Sequence, residues 1–201
     1  MTQPSDIVRV ARSWIGTPYR HQASLKGVGT DCLGLVRGVW RETLGEEPEA
    51  APAYSPGWAE AGDGETLAEA ARRHMLQVQC TDFHAGDLLL FRWREHLPAK
   101  HAGIATNTIE SDHSVSSRPS DVIAGFIPAT HRAECLIHGT AAQWVAGTSP
   151  AMTELKWQDA ADPARATHMV HAQEDACVTE IHLSSWWRRH LAFAFRFPGS
   201  E

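Results

Sequence analysis

Thr30-Asp31-Cys32-Leu33-Gly34-Leu35-Val36 decides how this chain folds, because it sets a cysteine where a turn becomes an amphipathic helix. From Cys32 onward, Cys32, Leu35, Val36, Val39 and Trp40 fall at i, i+3, i+4, i+7 and i+8, one apolar helical face. Asp31 or Thr30 is positioned to cap that helix, leaving Cys32 in its first turn. Unpaired amide N–H groups and the positive end of the helix dipole favour a thiolate there. A thiolate is the nucleophilic form, so the setting suits covalent catalysis. A lone cysteine is more often an inert core residue, and the rest of the chain has to decide between the two.

Working outward, Ser5 is expected to cap a first helix with Ile7, Val8, Ala11, Trp14 and Ile15 on one face, stopped by Gly16 and Pro18. The Cys32 helix runs to about Leu44-Gly45, and residues 46–64, rich in Pro, Ala, Gly and Glu, read as a surface loop. Leu67, Ala70, Ala71, His74, Met75 and Val78 make a third helical face. Strands are expected at Leu88–Phe91, His101–Thr106, Met169–Gln173, Cys177–Leu183 and Leu191–Phe197. In the last, Phe193, Phe195 and Phe197 alternate with Ala194 and Arg196, the mark of a half-buried strand. Helices first and an antiparallel sheet afterwards imply an α+β fold.

Several motifs occur in a telling order. Trp14-Ile15-Gly16-Thr17-Pro18-Tyr19 precedes the Asp31-Cys32 run; Gly86-Asp87-Leu88-Leu89-Leu90-Phe91, Lys100-His101-Ala102-Gly103-Ile104-Ala105 and Met169-Val170-His171-Ala172 follow it. In this the chain resembles the NlpC-type papain-like cysteine peptidases that cut peptidoglycan stem peptides. Its close, from Val178 through Trp186-Trp187 to Phe197-Pro198, resembles the branch carried by tailed phages and gene transfer agents. The resemblance covers residues 3–106 and 168–198. It implies a papain-like core over 1–106 and 168–201, with helices packed on an antiparallel sheet. Residues 107–167 depart from the family and are expected to form a small β-rich or partly disordered lobe. That lobe would shape the substrate groove, dock onto a tail or baseplate protein, or pack only on itself.

The resemblance assigns Cys32 as nucleophile, His101 as base and His171 as the third residue that orients the imidazole, with no cofactor and no metal. His138, in a similar strand-like setting, is the rival for the third role. Tyr19 and Asp31 are the candidates for contact with substrate or the developing oxyanion, beside the Cys32 backbone N–H. A purely structural Tyr19 is the alternative. Arg20, His21 and Gln22 replace the family's aromatic-Gly-Gly stretch, a departure that bears on the shape of the pocket.

Composition bounds the rest. The chain has 201 residues, 43% hydrophobic, enough for one full core. A net charge of −6 argues against a general nucleic-acid or anionic-membrane surface, and no apolar run is long enough to span a bilayer. The N-terminus lacks the pattern of a signal peptide, so the expectation is synthesis in the cytoplasm and delivery to the cell wall in a phage-like particle, or release by lysis. Cys32, Cys80, Cys135 and Cys177 show no C-x-x-C pairing and are expected to be reduced. Three other functions compete: a zinc hydrolase using His96 with His101 or His168 with His171, a Cys–His amidase or acyltransferase on another substrate, and a non-catalytic subunit of a tail tip.

Overall fold

The computed structural model describes residues 2–55, 64–107 and 166–200. The expected lobe, with Cys135 and His138, therefore lies outside the described residues. Helix α1 (Pro4–Ser13) is capped by Gln3 rather than Ser5. Gln3 is extended, Pro4 takes the first helical position, and the Asp6 carboxylate reaches back to the Gln3 N–H at 3.4 Å. A short hairpin, β1 (Ser24–Leu25) and β2 (Gly29–Thr30), leads into α2 (Cys32–Thr43), capped by Asp31. Two glycines let α2 sit close to its neighbours. A Cβ on Gly34 would lie 1.9 Å from the Ala23 carbonyl oxygen, and one on Gly38 would lie 2.1 Å from the Trp14 ring.

The third helix is shorter than its apolar periodicity suggests. Helix α3 (Thr66–His74) ends because Met75 is extended, and Leu76–Val78 becomes strand β3. Its residues pair with Ala194–Arg196, so the backbone bonds of a sheet edge replace a further helical turn. The remaining strands are β4 (Leu88–Phe91), β5 (His101–Thr106), β6 (His168–Ala172), β7 (Val178–His182) and β8 (Leu191–Arg196). A helix that periodicity does not announce, α4 (Ser185–His190), separates β7 from β8. With β3 they form an antiparallel sheet in the order β3-β8-β4-β5-β6-β7.

Apolar packing covers both faces, which explains the unbroken Leu88-Leu89-Leu90-Phe91 run. Leu88, Leu90, Ile104, Val170 and Phe195 pack with Ile7, Trp14, Leu35 and Val39 of α1 and α2. Leu89, Phe91, Ala105, Met169 and Ala194 form the second layer, against which Trp187 of α4 packs. The α+β, papain-like architecture expected from the sequence is the one observed.

One irregularity positions the site. Strands β5 and β6 pair only over Ile104–Thr106 and His168–Val170. The ends carrying His101 and His171 are not paired with each other, and the sheet opens there.

Candidate active site

Cys32 opens α2 beside that gap. Asp31 stays extended before it, and its carboxylate, 2% exposed, accepts from the Gly34 N–H at 2.7 Å, the Gln22 N–H at 2.7 Å and the Tyr54 hydroxyl at 2.5 Å. Asp31 is thus the cap that fixes the start of α2, and it anchors two loops as well. Gln22 holds a left-handed backbone, φ 63°, where glycine is the favoured residue and where the resembled family has one. Its N–H bond to Asp31 and its side-chain bond to the Tyr54 carbonyl, 2.6 Å, hold that conformation. His21 donates from Nε2 to the same carbonyl at 2.8 Å, and its ring meets the Tyr54 ring edge-on. Tyr54 was hidden in a stretch that reads only as loop, yet it locks residues 20–22 to the helix cap.

His101 reaches the cleft by a route the sequence does not suggest. It shares a strand face with Gly103 and Ala105, as expected, but α2 packs on the opposite face, against Ala102 and Ile104. The two faces meet at the open end of β5. There the Cys32 thiol donates to the Lys100 carbonyl, 3.9 Å away, and the nearby backbone N–H groups of Ala102, Leu33 and Cys32 itself favour its charged form. His101 Nε2 sits 3.0 Å from His171 Nδ1, the rings edge to face. Gly103 makes this possible: a Cβ on it would lie 2.9 Å from Met169 Sδ and 3.5 Å from His171 Cβ. Cys32, His101, His171, Tyr19 and Asp31 all line one cleft of about 600 Å³, together with Tyr54, Trp93, Lys100, Glu174 and Trp187.

The electrostatics correct one expectation. Burial, then the Asp31 carboxylate, push the Cys32 thiol up to about 11, outweighing the three backbone N–H groups that pull it down. Cys32 at rest is a thiol, not the thiolate that the helix start alone would favour. Burial, with the neighbouring His171, lowers His101 to about 3, and burial lowers His171 to about 4. Cys32, His101 and His171 are therefore all neutral at pH 7. Tyr19 is pushed up to about 12 by burial first, then by Cys32 once that thiol ionises and by the Asp31 carboxylate, so its hydroxyl keeps its proton and can donate.

The hydrogen bond between the histidines also fixes tautomers. For His101 to take a proton from Cys32, Nδ1 must be bare, so Nε2 carries the hydrogen and donates to His171 Nδ1. His171 then carries its own hydrogen on Nε2, which is buried without a partner among the described residues.

Of the two histidine pairs of the zinc alternative, the one in β6 does not have the geometry of a ligand pair. His168 and His171 lie three residues apart in β6 and point to opposite faces, and His171 Nδ1 is taken by His101. No three His, Cys, Asp or Glu side chains gather as a ligand set among the described residues.

Solved structures share this fold. An NlpC/P60 family protein from Bacillus cereus ATCC 10987 matches with a TM-score of 0.51 at 14% identity, over 98% of this chain and 41% of that one. The NlpC/P60 domain of the peptidoglycan hydrolase SagA gives 0.47 at 17%, over 97% and 99% of the two chains. A lipoprotein-like NLP/P60 family protein from Staphylococcus aureus subsp. aureus Mu50 gives 0.46 at 15%, over 96% and 41%. This chain thus spans less than half the length of the Bacillus protein. No protein-family model matches it, and no curated protein does. What the first of these structures shares with this chain is the α+β fold.

Proposed function

We propose that this chain is a cysteine peptidase that hydrolyses amide bonds in peptidoglycan stem peptides. The observation that carries the reading is the meeting of a cysteine at a helix start with a hydrogen-bonded histidine pair in one open cleft. A scaffold has no use for two neutral, half-desolvated imidazoles beside a thiol.

In the first step Cys32 Sγ attacks the carbonyl carbon while its proton passes to His101 Nδ1. The backbone N–H of Cys32 and the Tyr19 hydroxyl face the oxygen that takes up the charge. Collapse breaks the C–N bond, and His101 returns the proton to the departing amine. Water then attacks the thioester, its proton again going to His101, and the free acid leaves as Cys32 is reprotonated. His171 Nδ1 accepts from Nε2 throughout and keeps the imidazole in the plane of transfer. The resemblance supports the bond between D-γ-glutamate and the diamino acid as the target, and delivery in a phage-like particle as the route.

Digestion of diaminopimelate-type peptidoglycan, read by mass spectrometry, tests this. Wild type should release cut stem peptides, folded Cys32→Ala should release none, and His171→Ala should be slowed but measurable. Equal product from wild type and Cys32→Ala would sink the proposal. Intact substrate with wild type, while Cys32 alkylates readily, would move the reading to another amide or ester.

A further inference from the structure

Among the described residues, the histidine pair has no anionic partner. Among the described residues, no carboxylate bonds either imidazole, and the one partner of His101 is the neutral Nδ1 of His171. An imidazolium forming there would be buried without the counter-charge that an aspartate supplies in other triads. What surrounds it instead is aromatic. The Trp93 ring stacks on His101 with centroids 5.6 Å apart and planes 26° apart, and Trp187 lies 5.6 Å away at 32°. Trp187 also meets His171 edge-on at 5.5 Å and Phe91 at 5.0 Å, so one indole spans both histidines.

This indole pair, its centroids 5.8 Å apart, is supported from behind. Trp93 packs on Trp186 at 5.6 Å, and Trp186 stacks on His190 at 4.0 Å. The Arg92 N–H donates to the His190 carbonyl at 3.0 Å, tying the end of α4 to the residue before Trp93. An aromatic column thus runs from the surface to the base. The charged and titratable groups that share the cleft with His101 are Cys32 and Asp31 at the start of α2, Tyr19, His21 and Tyr54 from the loops beside it, Lys100 next in sequence, and His171 and Glu174 from β6 and its turn. Arg188, Arg189 and His190 lie on α4, which carries Trp186 and Trp187.

We propose that Trp93 and Trp187, whose own centroids are 5.8 Å apart, are positioning residues that flank the His101 imidazole as a packed indole pair on one side, stabilising the imidazolium of the transition state where no carboxylate among the described residues does so. The physical basis is the negative face of the indole, which attracts a cation within about 6 Å of its centroid and does so more strongly when water is excluded. The proposal rests on His101 being the base.

The test is the pH dependence of Cys32 alkylation by iodoacetamide, read on the Cys32 peptide by mass spectrometry, in wild type, Trp187→Leu, Trp187→Phe, Trp93→Leu and His101→Ala. The leucine variants should react about tenfold more slowly near pH 7 and converge on wild type as the pH approaches that at which the thiol ionises unaided. Phenylalanine should restore most of the rate. A slowing by the same factor at every pH, or none, would overturn the proposal. Should the leucine variants not fold, the wild-type NMR spectrum decides: ring currents from two indoles 5.6 Å away must displace the His101 ring protons from their ordinary positions, and unshifted protons refute the proposal. Alkylation needs no peptidoglycan, so a wild type that cuts none leaves this test intact. An unaffected His101→Ala would instead remove the base assignment beneath both readings.

Discussion

Asp31→Asn should make the protein less stable and its cysteine more reactive. The Asp31 carboxylate is buried and accepts from three donors, the Gly34 and Gln22 N–H groups and the Tyr54 hydroxyl. Asparagine keeps one oxygen for Gly34 but turns an NH₂ toward the other two. Tyr54 can rotate to accept from it, whereas the Gln22 N–H loses its acceptor. One half-buried donor left unpaired costs about 1 kcal/mol, or roughly 2–4 °C in Tm for a domain of this size. The same carboxylate is the second cause, after burial, of the rise in the Cys32 thiol to about 11. Its neutralisation therefore moves the thiol back toward the ordinary value of 9.0. A full return would raise the thiolate fraction about a hundredfold at pH 8. The lower basicity of that thiolate cancels about half of the gain on a logarithmic scale, so alkylation should rise by about tenfold at most. Thermal melting and iodoacetamide kinetics on the Cys32 peptide measure both. An unchanged Tm together with slower alkylation would refute the reasoning, since it would mean that Asp31 neither anchors the loops nor opposes ionisation.

Two further outcomes follow from the packing and the buried histidines. Gly38→Ala replaces a poor helix former by the best one, which by propensity alone would stabilise by about 1 kcal/mol. The added Cβ meets the Trp14 ring at 2.1 Å, so a net loss of about 1–3 kcal/mol is expected, and a raised Tm would contradict the close crossing of α1 and α2. Stability should also fall with acid earlier than paired carboxylates alone would cause. His101 and His171 have folded values of about 3 and about 4, below their ordinary 6.5, so the unfolded chain binds protons that the native chain refuses. Their contribution is whole above pH 6.5 and is lost as the pH falls through 4 and 3. At pH 5 each histidine costs about 2 kcal/mol relative to neutrality. Melting curves between pH 7 and 5 should show the decline, with His171→Gln losing about half of it; a flat Tm in wild type would exclude buried neutral histidines.

The site was legible in sequence to the extent that local pattern determines it. Cys32 at a helix start and His101 and His171 in short strands are all periodicity signals, and the structure brings the three to one cleft. Three features were not legible, each because distant chain decides it. The thiol state of Cys32 follows from burial beneath residues 100–102, which outweighs the helix start. Val78 continues a helical period by coincidence, while pairing with Ala194 makes it a strand residue. Trp93 and Trp187 are nearly a hundred positions apart and read as unrelated until α4 folds back on the end of β4. Gln22 is the reverse case: a glycine is missing from the resembled pattern, and the left-handed backbone is there all the same.

Thr106 and His168 are direct partners across β5 and β6, and the Thr167 N–H donates to the Thr106 carbonyl at 3.1 Å, although about sixty residues of chain separate the two strands. The polypeptide therefore leaves the sheet and re-enters it through a single gate, one strand spacing wide. Exchanging sixty residues for a two-residue turn alters the closure entropy by about 3 kcal/mol, in the direction that favours the shorter chain. The gate makes the described core a socket, where one connection can be exchanged for another while the strands that carry His101 and His171 keep their pairing. A chain with Asn-Gly joining Thr106 to His168 should fold and alkylate at Cys32 as the full-length protein does.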